Sequence, residues 1–168
     1  KSFFKIKSYI DPCYSMKSIK NKLEINHMIN AHIEDGVALT KFIFWIKNTN
    51  KKKITEINAQ KKLEQFRKLN ANYLFPSFNT IAGTGSNGAI IHYKAKKQST
   101  KIIKKNHIFL CDSGGQYKYG TTDVTRTICF STQKRTIKDK YTKVLKGHIS
   151  VALTNLKKIN TGKQIDLR

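Results

Sequence analysis

Acidic side chains are scarce in this sequence. Ten aspartates and glutamates stand against 33 lysines and arginines, for a formal charge of +23. Arginine is scarce too, with four residues, so the positive charge is almost all lysine. That balance, with heavy use of isoleucine and asparagine, is what an AT-rich coding sequence produces whatever the function. Arginine is the side chain that reads base edges and forks onto phosphates, and its scarcity argues against a specific nucleic-acid role. Long apolar runs are also lacking. The longest, Phe42 to Ile46, is far too short to span a bilayer, which excludes a membrane partner of that kind. The opening "KSFFKIKSYI" has no apolar core followed by small residues, so it does not read as a secretory signal. Cysteines are few: Cys13, Cys111 and Cys129 form no Cys-x-x-Cys pair, and their odd number excludes a closed disulfide framework or a zinc ribbon. The 168 residues are enough for one domain with a core, and the reading is a cytoplasmic protein.

What is present is an ordered series of patterns. Residues 3–10 alternate loosely between apolar and basic, like a short strand, and Asp11-Pro12 breaks it. A long helix is expected from Ser15 to Asn48, with Ile25, Ile29, Ile33, Val37, Ile43 and Ile46 on its packed face. Thr55 suits the N-cap of a second helix to Leu69, with Leu63, Phe66 and Leu69 apolar. "LFPSFNTIAGTGSNGAIIHY" reads as strand, loop, strand, and a lysine-rich loop follows. Two β-rich runs, His107–Asp112 and Asp123–Phe130, flank "SGGQYKYGTT" and predict an antiparallel hairpin. A third helix is expected from Thr136 to Ile159, with Tyr141, Leu145, His148, Ile149, Ala152 and Leu156 on one face. No short repeat or low-complexity segment occurs. The order predicts an α+β fold with helices packed on an antiparallel sheet.

Two of the few acids lie in that hairpin, eleven residues apart. Folding it about Tyr117 to Gly120 brings Asp112 nearly opposite Asp123, where Cα atoms of facing residues are about 4.5–5.5 Å apart. Two like charges so placed need a cation between them or a shared proton. Divalent metals about 3.5–4 Å apart, bridged by carboxylates, are one solution. Oxygen ligands suit manganese or a similar hard ion, and an imidazole in the site would admit zinc or cobalt. The spacing also admits a plainer reading: Asp112 as a turn former before Ser113-Gly114-Gly115, and Asp123 paired with Arg126 or Lys118.

"DSGGQYKYGTTDVTRT" closely resembles the metal-binding hairpin of the Xaa-Pro aminopeptidases (aminopeptidase P), dinuclear metallopeptidases of the pita-bread fold. "AHIEDGVALTKFIFWI" resembles the first long helix of their catalytic domain, "GTGSNGAIIHY" the substrate-side loop, and "YTKVLKGHISVA" the helix after the hairpin. The resemblance runs from about Asp11 to the C-terminus. It implies that Asp112 is a bidentate ligand of one metal and that Asp123 bridges two divalent ions, manganese in first place. It implies that His92 helps bind a peptide with proline at the second position. His148 and His32 are read as structural. Tyr119 stands where the family often has an acidic residue and Ser86 where it often has proline; both are turn positions.

The family site needs five protein ligands, and the histidine and two glutamates beyond the aspartates have no counterpart in these 168 residues. The expectation is therefore residues 1–14 as the tail of a preceding domain and 15–168 as the first half of a pita-bread domain. Such a chain would be inactive alone, exposed along a sheet edge, and completed by a complementary C-terminal half or a homodimer. The alternative is a non-catalytic basic module for nucleic acid or another anionic partner.

Overall fold

A computed structural model describes residues 7–49, 54–158 and 161–166. The chain divides into two compact units, Lys1–Ile128 and Cys129–Arg168.

In the first unit, residues 3–6 of the expected opening strand lie outside the described residues, and 7–10 have no regular structure. Asp11-Pro12 starts a helix instead of only ending a strand. Asp11 caps α1 (Pro12–Ser18) by accepting from the Cys13 N–H at 2.9 Å, and proline occupies a first-turn position where no N–H is needed. The single helix expected over 15–48 is in fact two. Ile19 is extended, and Asn21 with Glu24 forms a reciprocal capping box that starts α2 (Lys22–Asn48). Thr55 caps α3 (Glu56–Arg67) as expected, through a second box with Asn58.

The buried face of α2 is Ala31, Asp35, Ala38, Leu39, Phe42 and Ile46. The stripe Ile25, Ile29, Ile33 and Val37 is open instead, with 47–62% of each residue exposed. A helix with two apolar stripes buries the one its neighbours can approach. Here that is the small-residue side, where Ala31 lies so close to Gly120 that a β-carbon there would come within 2.7 Å of it.

Two three-stranded sheets follow. One has the order β1 (Tyr73–Pro76), β4 (Gly115–Tyr117), β5 (Gly120–Thr121), and the other β2 (Ile81–Thr84), β3 (Ile108–Ser113), β6 (Val124–Cys129). Neighbouring strands pair antiparallel: Ile81 faces Asp112 and Thr84 faces Phe109, while Gln116 faces Thr121 and Tyr117 faces Gly120. The turn at Tyr117–Gly120 is thus where the sequence put it. The fold class expected from the sequence, helices with antiparallel sheet, is the one observed.

One ion pair joins these layers. Asp35 on α2 meets Arg67 on α3 at 2.6 Å (Nε–Oδ1) and 3.1 Å (Nη2–Oδ2), and both residues are buried. Tyr117 Oη donates to Asp35 Oδ1 at 2.8 Å, and Arg67 Nη2 donates to Ser113 Oγ at 3.0 Å. Burial alone would make the guanidinium less basic, but Asp35 outweighs it and raises the Arg67 pKa. Burial, and next the bond to Asp35, push the Tyr117 phenol upward.

The second unit holds α4 (Arg135–Ala152), a short 3-10 turn at Leu156–Lys158 and α5 (Gly162–Asp166). The helix expected to reach Ile159 ends at Ala152. The Thr154 hydroxyl bonds back to Ser150 O, and the Asn155 side chain accepts from the Lys157 N–H, a local turn that competes with helix. Residue 159 lies outside the described residues. No residue of α4 is buried, and Tyr141, Val144, Leu145, Ile149 and Val151 are 43–74% exposed. His148, expected to pack, is exposed on this helix.

Removing one partner of a buried pair strands the other charge. Arg67→Met should therefore cost about 3–5 kcal/mol in urea unfolding. The added loss on making Asp35→Asn in that background should be smaller than for Asp35→Asn alone. Strictly additive losses would show that the two residues do not act as a pair.

Candidate metal centre

Burial alternates along β3: Phe109, Cys111 and Ser113 point into the core, and Ile108, Leu110 and Asp112 lie on the half-exposed face. The period-2 geometry of a strand thus delivers Asp112 to one face, with Ser113 anchored on the other. Thr125 on β6 reaches across to donate its hydroxyl to Asp112 Oδ1 at 2.7 Å. Asp123 is exposed, directly before β6.

The residues beside the two aspartates are fixed on both sides. Ser113 follows Asp112 and is held by Arg67. Thr122 precedes Asp123 and is buried. Its Oγ1 accepts from the Gly115 N–H at 2.9 Å, its own N–H donates to Gly115 O, and its carbonyl accepts from Ser77 Oγ at 2.8 Å. Gly114 lies between these anchors with no room for a side chain: a β-carbon would stand 2.0 Å from Thr122 O and 2.2 Å from Ser77 Oγ. The hairpin therefore presents two carboxylates on a frame that has little freedom to shift.

Carboxylate oxygens suit a hard divalent cation. Among the described residues, however, no group of three or more histidine, cysteine, aspartate or glutamate side chains is placed to hold a metal ion. Asp112 is half-buried and Asp123 exposed, and no such group forms around either among the described residues.

His92 is not on a strand. It lies in an exposed turn after the short 3-10 helix at Gly85–Ala89, with φ of 52°, the only non-glycine residue with positive φ among the described residues. That left-handed backbone costs about 1–3 kcal/mol for a residue with a β-carbon and persists only where its surroundings impose it. Its loop leaves β2 at Thr84, three residues and about 10 Å along the strand from Ile81, which faces Asp112. Exposed Ile90 and Ile91 directly precede the histidine, and buried Tyr93 follows it.

His32 is exposed, and its Nδ1 lies 2.8 Å from Met28 O, one turn back on its own helix. Tyr119 belongs to a separate cluster. It receives a bond from Asn72 Nδ2 at 3.3 Å and lies 5.6 Å from the His27 ring. A hydrogen bond to Glu34, then burial, raises the Tyr119 pKa. The cleft lined by His27, Asn30, Ile33, Glu34 and Tyr119 contains neither aspartate nor His92. Sequence reasoning missed two buried carboxylates that frame the site, Asp35 and Glu56. The "E-D-G" run and the place of Glu56 directly after the Thr55 cap are visible in the sequence, but their partners lie tens of residues away.

Glycine adopts positive φ without penalty, so His92→Gly should raise the melting temperature or leave it unchanged, while His92→Val should lower it by several degrees. Equal destabilisation by both would contradict a left-handed backbone at 92. Cys111 is buried, and burial pushes its thiol up to about 12. The reactive thiolate is therefore suppressed at about pH 8, and a thiol reagent should modify two cysteines quickly, Cys13 and Cys129, and the third only on unfolding.

Residues 26–168 match metallopeptidase family M24. A probable Xaa-Pro aminopeptidase P of Podospora anserina is 45% identical over 159 residues, 93% of this chain and 23% of that protein. Xaa-Pro aminopeptidase ApepP of Drosophila melanogaster is 44% identical over 147 residues, 86% of this chain and 24% of that protein. The chain thus spans about a quarter of the length of these curated relatives. Among solved structures, the X-prolyl aminopeptidase of Caenorhabditis elegans, described as a cytosolic enzyme with a di-nuclear active site, matches with a TM-score of 0.78 and 35% identity. That alignment covers 83% of this chain and 23% of that one. The Thermotoga maritima X-Pro aminopeptidase shares the fold, with a TM-score of 0.72 at 21% identity over 83% of this chain and 37% of that one. Sequence and fold agree: this chain belongs to metallopeptidase family M24 and carries part of its pita-bread fold.

Proposed function

We propose that this chain is the part of an Xaa-Pro aminopeptidase that brings the first two metal ligands and a substrate histidine. Residues 15–168 form the first half of the catalytic domain, and residues 1–14 are the tail of a preceding one. Asp112 binds one divalent ion and Asp123 bridges to a second, manganese in both positions. His92 contacts a peptide whose second residue is proline. The activity is release of the residue before that proline, in the cytoplasm.

The observation that carries this reading is the hairpin itself. In it Asp112 is half-buried and Asp123 exposed, while Ser113 and Thr122 beside them are buried and hydrogen-bonded. A turn-forming aspartate needs no such frame. The incomplete ligand group among the described residues and the open apolar stripe of α2 both favour completion by further chain that supplies one histidine and two glutamates. A complementary C-terminal half fits this need more directly than a homodimer, which would bring a second copy of the same hairpin.

The expected result is no cleavage of an Xaa-Pro peptide by the chain alone with manganese. Cleavage should appear when it is combined with the remaining part of an M24 domain from a close relative, and Asp112→Asn should then lower the rate by at least about a hundredfold. Cleavage by the chain alone that survives Asp112→Asn would sink the assignment of this hairpin.

A further inference from the structure

The loop that carries His92 is closed on itself by one buried carboxylate. Glu56, the first residue of α3, is 0% exposed. Its Oε1 accepts from the Thr84 N–H at 2.8 Å, where the loop begins, and its Oε2 from the Lys101 N–H at 3.0 Å, where the loop ends. Two side chains from inside the loop reach the same group. Asn87 Nδ2 donates at 3.0 and 3.1 Å, and Tyr93 Oη donates at 2.8 Å. Asn87 also donates to Tyr93 Oη at 2.7 Å, so the donors form one network. The donors are two backbone amides, a carboxamide and a phenol. A carboxylate at a helix N-terminus is itself favourably placed by the helix dipole.

The rest of the loop is tied to the same place. The Glu56 N–H donates to Lys101 O at 3.1 Å, and Ile103 N–H to Ile54 O at 2.9 Å. Lys101 Nζ crosses the loop to Ser86 Oγ at 2.5 Å. Gly83 and Gly88 meet so closely that a β-carbon on Gly83 would stand 2.8 Å from Gly88 Cα. His92 comes directly before Tyr93 and five residues after Asn87, both bound to Glu56. Its left-handed φ of 52° needs an outside constraint, and this network is the constraint next to it.

We propose that Glu56, acting through Tyr93 and Asn87, is the positioning residue that fixes His92 in the orientation from which it meets a peptide substrate. The proposal rests on the reading of His92 as a substrate contact. Glu56 touches no substrate; its effect passes entirely through the loop.

The test uses the 168-residue chain and NMR. Tyr93→Phe removes one donor and keeps the ring, and Glu56→Gln keeps the shape and loses an acceptor. The amide–Cα-proton coupling and the Cα shift of His92 report its φ, and Ala-Pro-Ala at millimolar concentration reports contact with the ring. In the unmodified chain, His92 should show the left-handed signature and a peptide-induced shift. In Tyr93→Phe the signature should average out and the peptide should bind His92 about fivefold more weakly, while the Asp112 and Asp123 amide signals stay in place. Glu56→Gln should do the same or more; if it does not fold, Tyr93→Phe alone decides. An unchanged His92 signature and unchanged peptide shift in Tyr93→Phe would overturn the role of the network. Absence of any peptide shift at His92 in the unmodified chain, with the left-handed signature intact, would overturn the proposal through the reading of His92 on which it rests.

Discussion

The buried contact between Asp35 and Arg67 organises everything else in the first unit. It joins α2 to α3 across 32 residues of sequence, and it ties in Tyr117, 82 residues from Asp35, and Ser113, 46 residues from Arg67. A buried charge pair is not a cheap way to gain stability, because desolvating both ions offsets much of their attraction. What it supplies is uniqueness. A guanidinium fork with two carboxylate bonds and a third to Ser113 accepts few alternative registers, whereas an apolar contact of the same size would accept several.

That uniqueness is passed to the hairpin. Ser113 is at once a partner of Arg67 and the neighbour of Asp112, so the pair that holds the helices together also fixes the strand presenting the carboxylate. Glu56 works at the Thr84 end of β2 in the same manner, with neutral donors instead of a cation. Two buried carboxylates, Asp35 and Glu56, thus hold the frame, while Asp112 and Asp123 beside it are half-exposed and exposed. In a chain with only ten acids, that division accounts for four of them.

Much of this was legible in the sequence where the signal is local. The reversal at Tyr117–Gly120, the Thr55 cap and the two β-rich runs depend on residues within a few positions of each other, and all three are present. The helical stripe Ile25, Ile29, Ile33 and Val37 was legible as a stripe and misread as covered. Periodicity reveals an apolar face and carries no information on which face a neighbour approaches. The winner was the side with Ala31, whose small size lets Gly120 come close. The burial of Arg67 and Glu56 was hidden for a different reason: a charged residue becomes a core residue only through partners, and these lie 28 to 46 residues away. The turn at His92 was hidden because a left-handed histidine is imposed by its surroundings and not favoured by its own sequence.

On the function proposed above, Asp112 and Asp123 act together on one cation. Titrating manganese into the isotope-labelled chain tests it most directly, since the bound ion broadens amide signals near it. Selective broadening is expected, centred on 112–113 and 122–125, weak in affinity and lost in both Asp112→Asn and Asp123→Asn. Broadening that persists in either variant, or that centres on other acids such as Glu34 or Asp139, would contradict it.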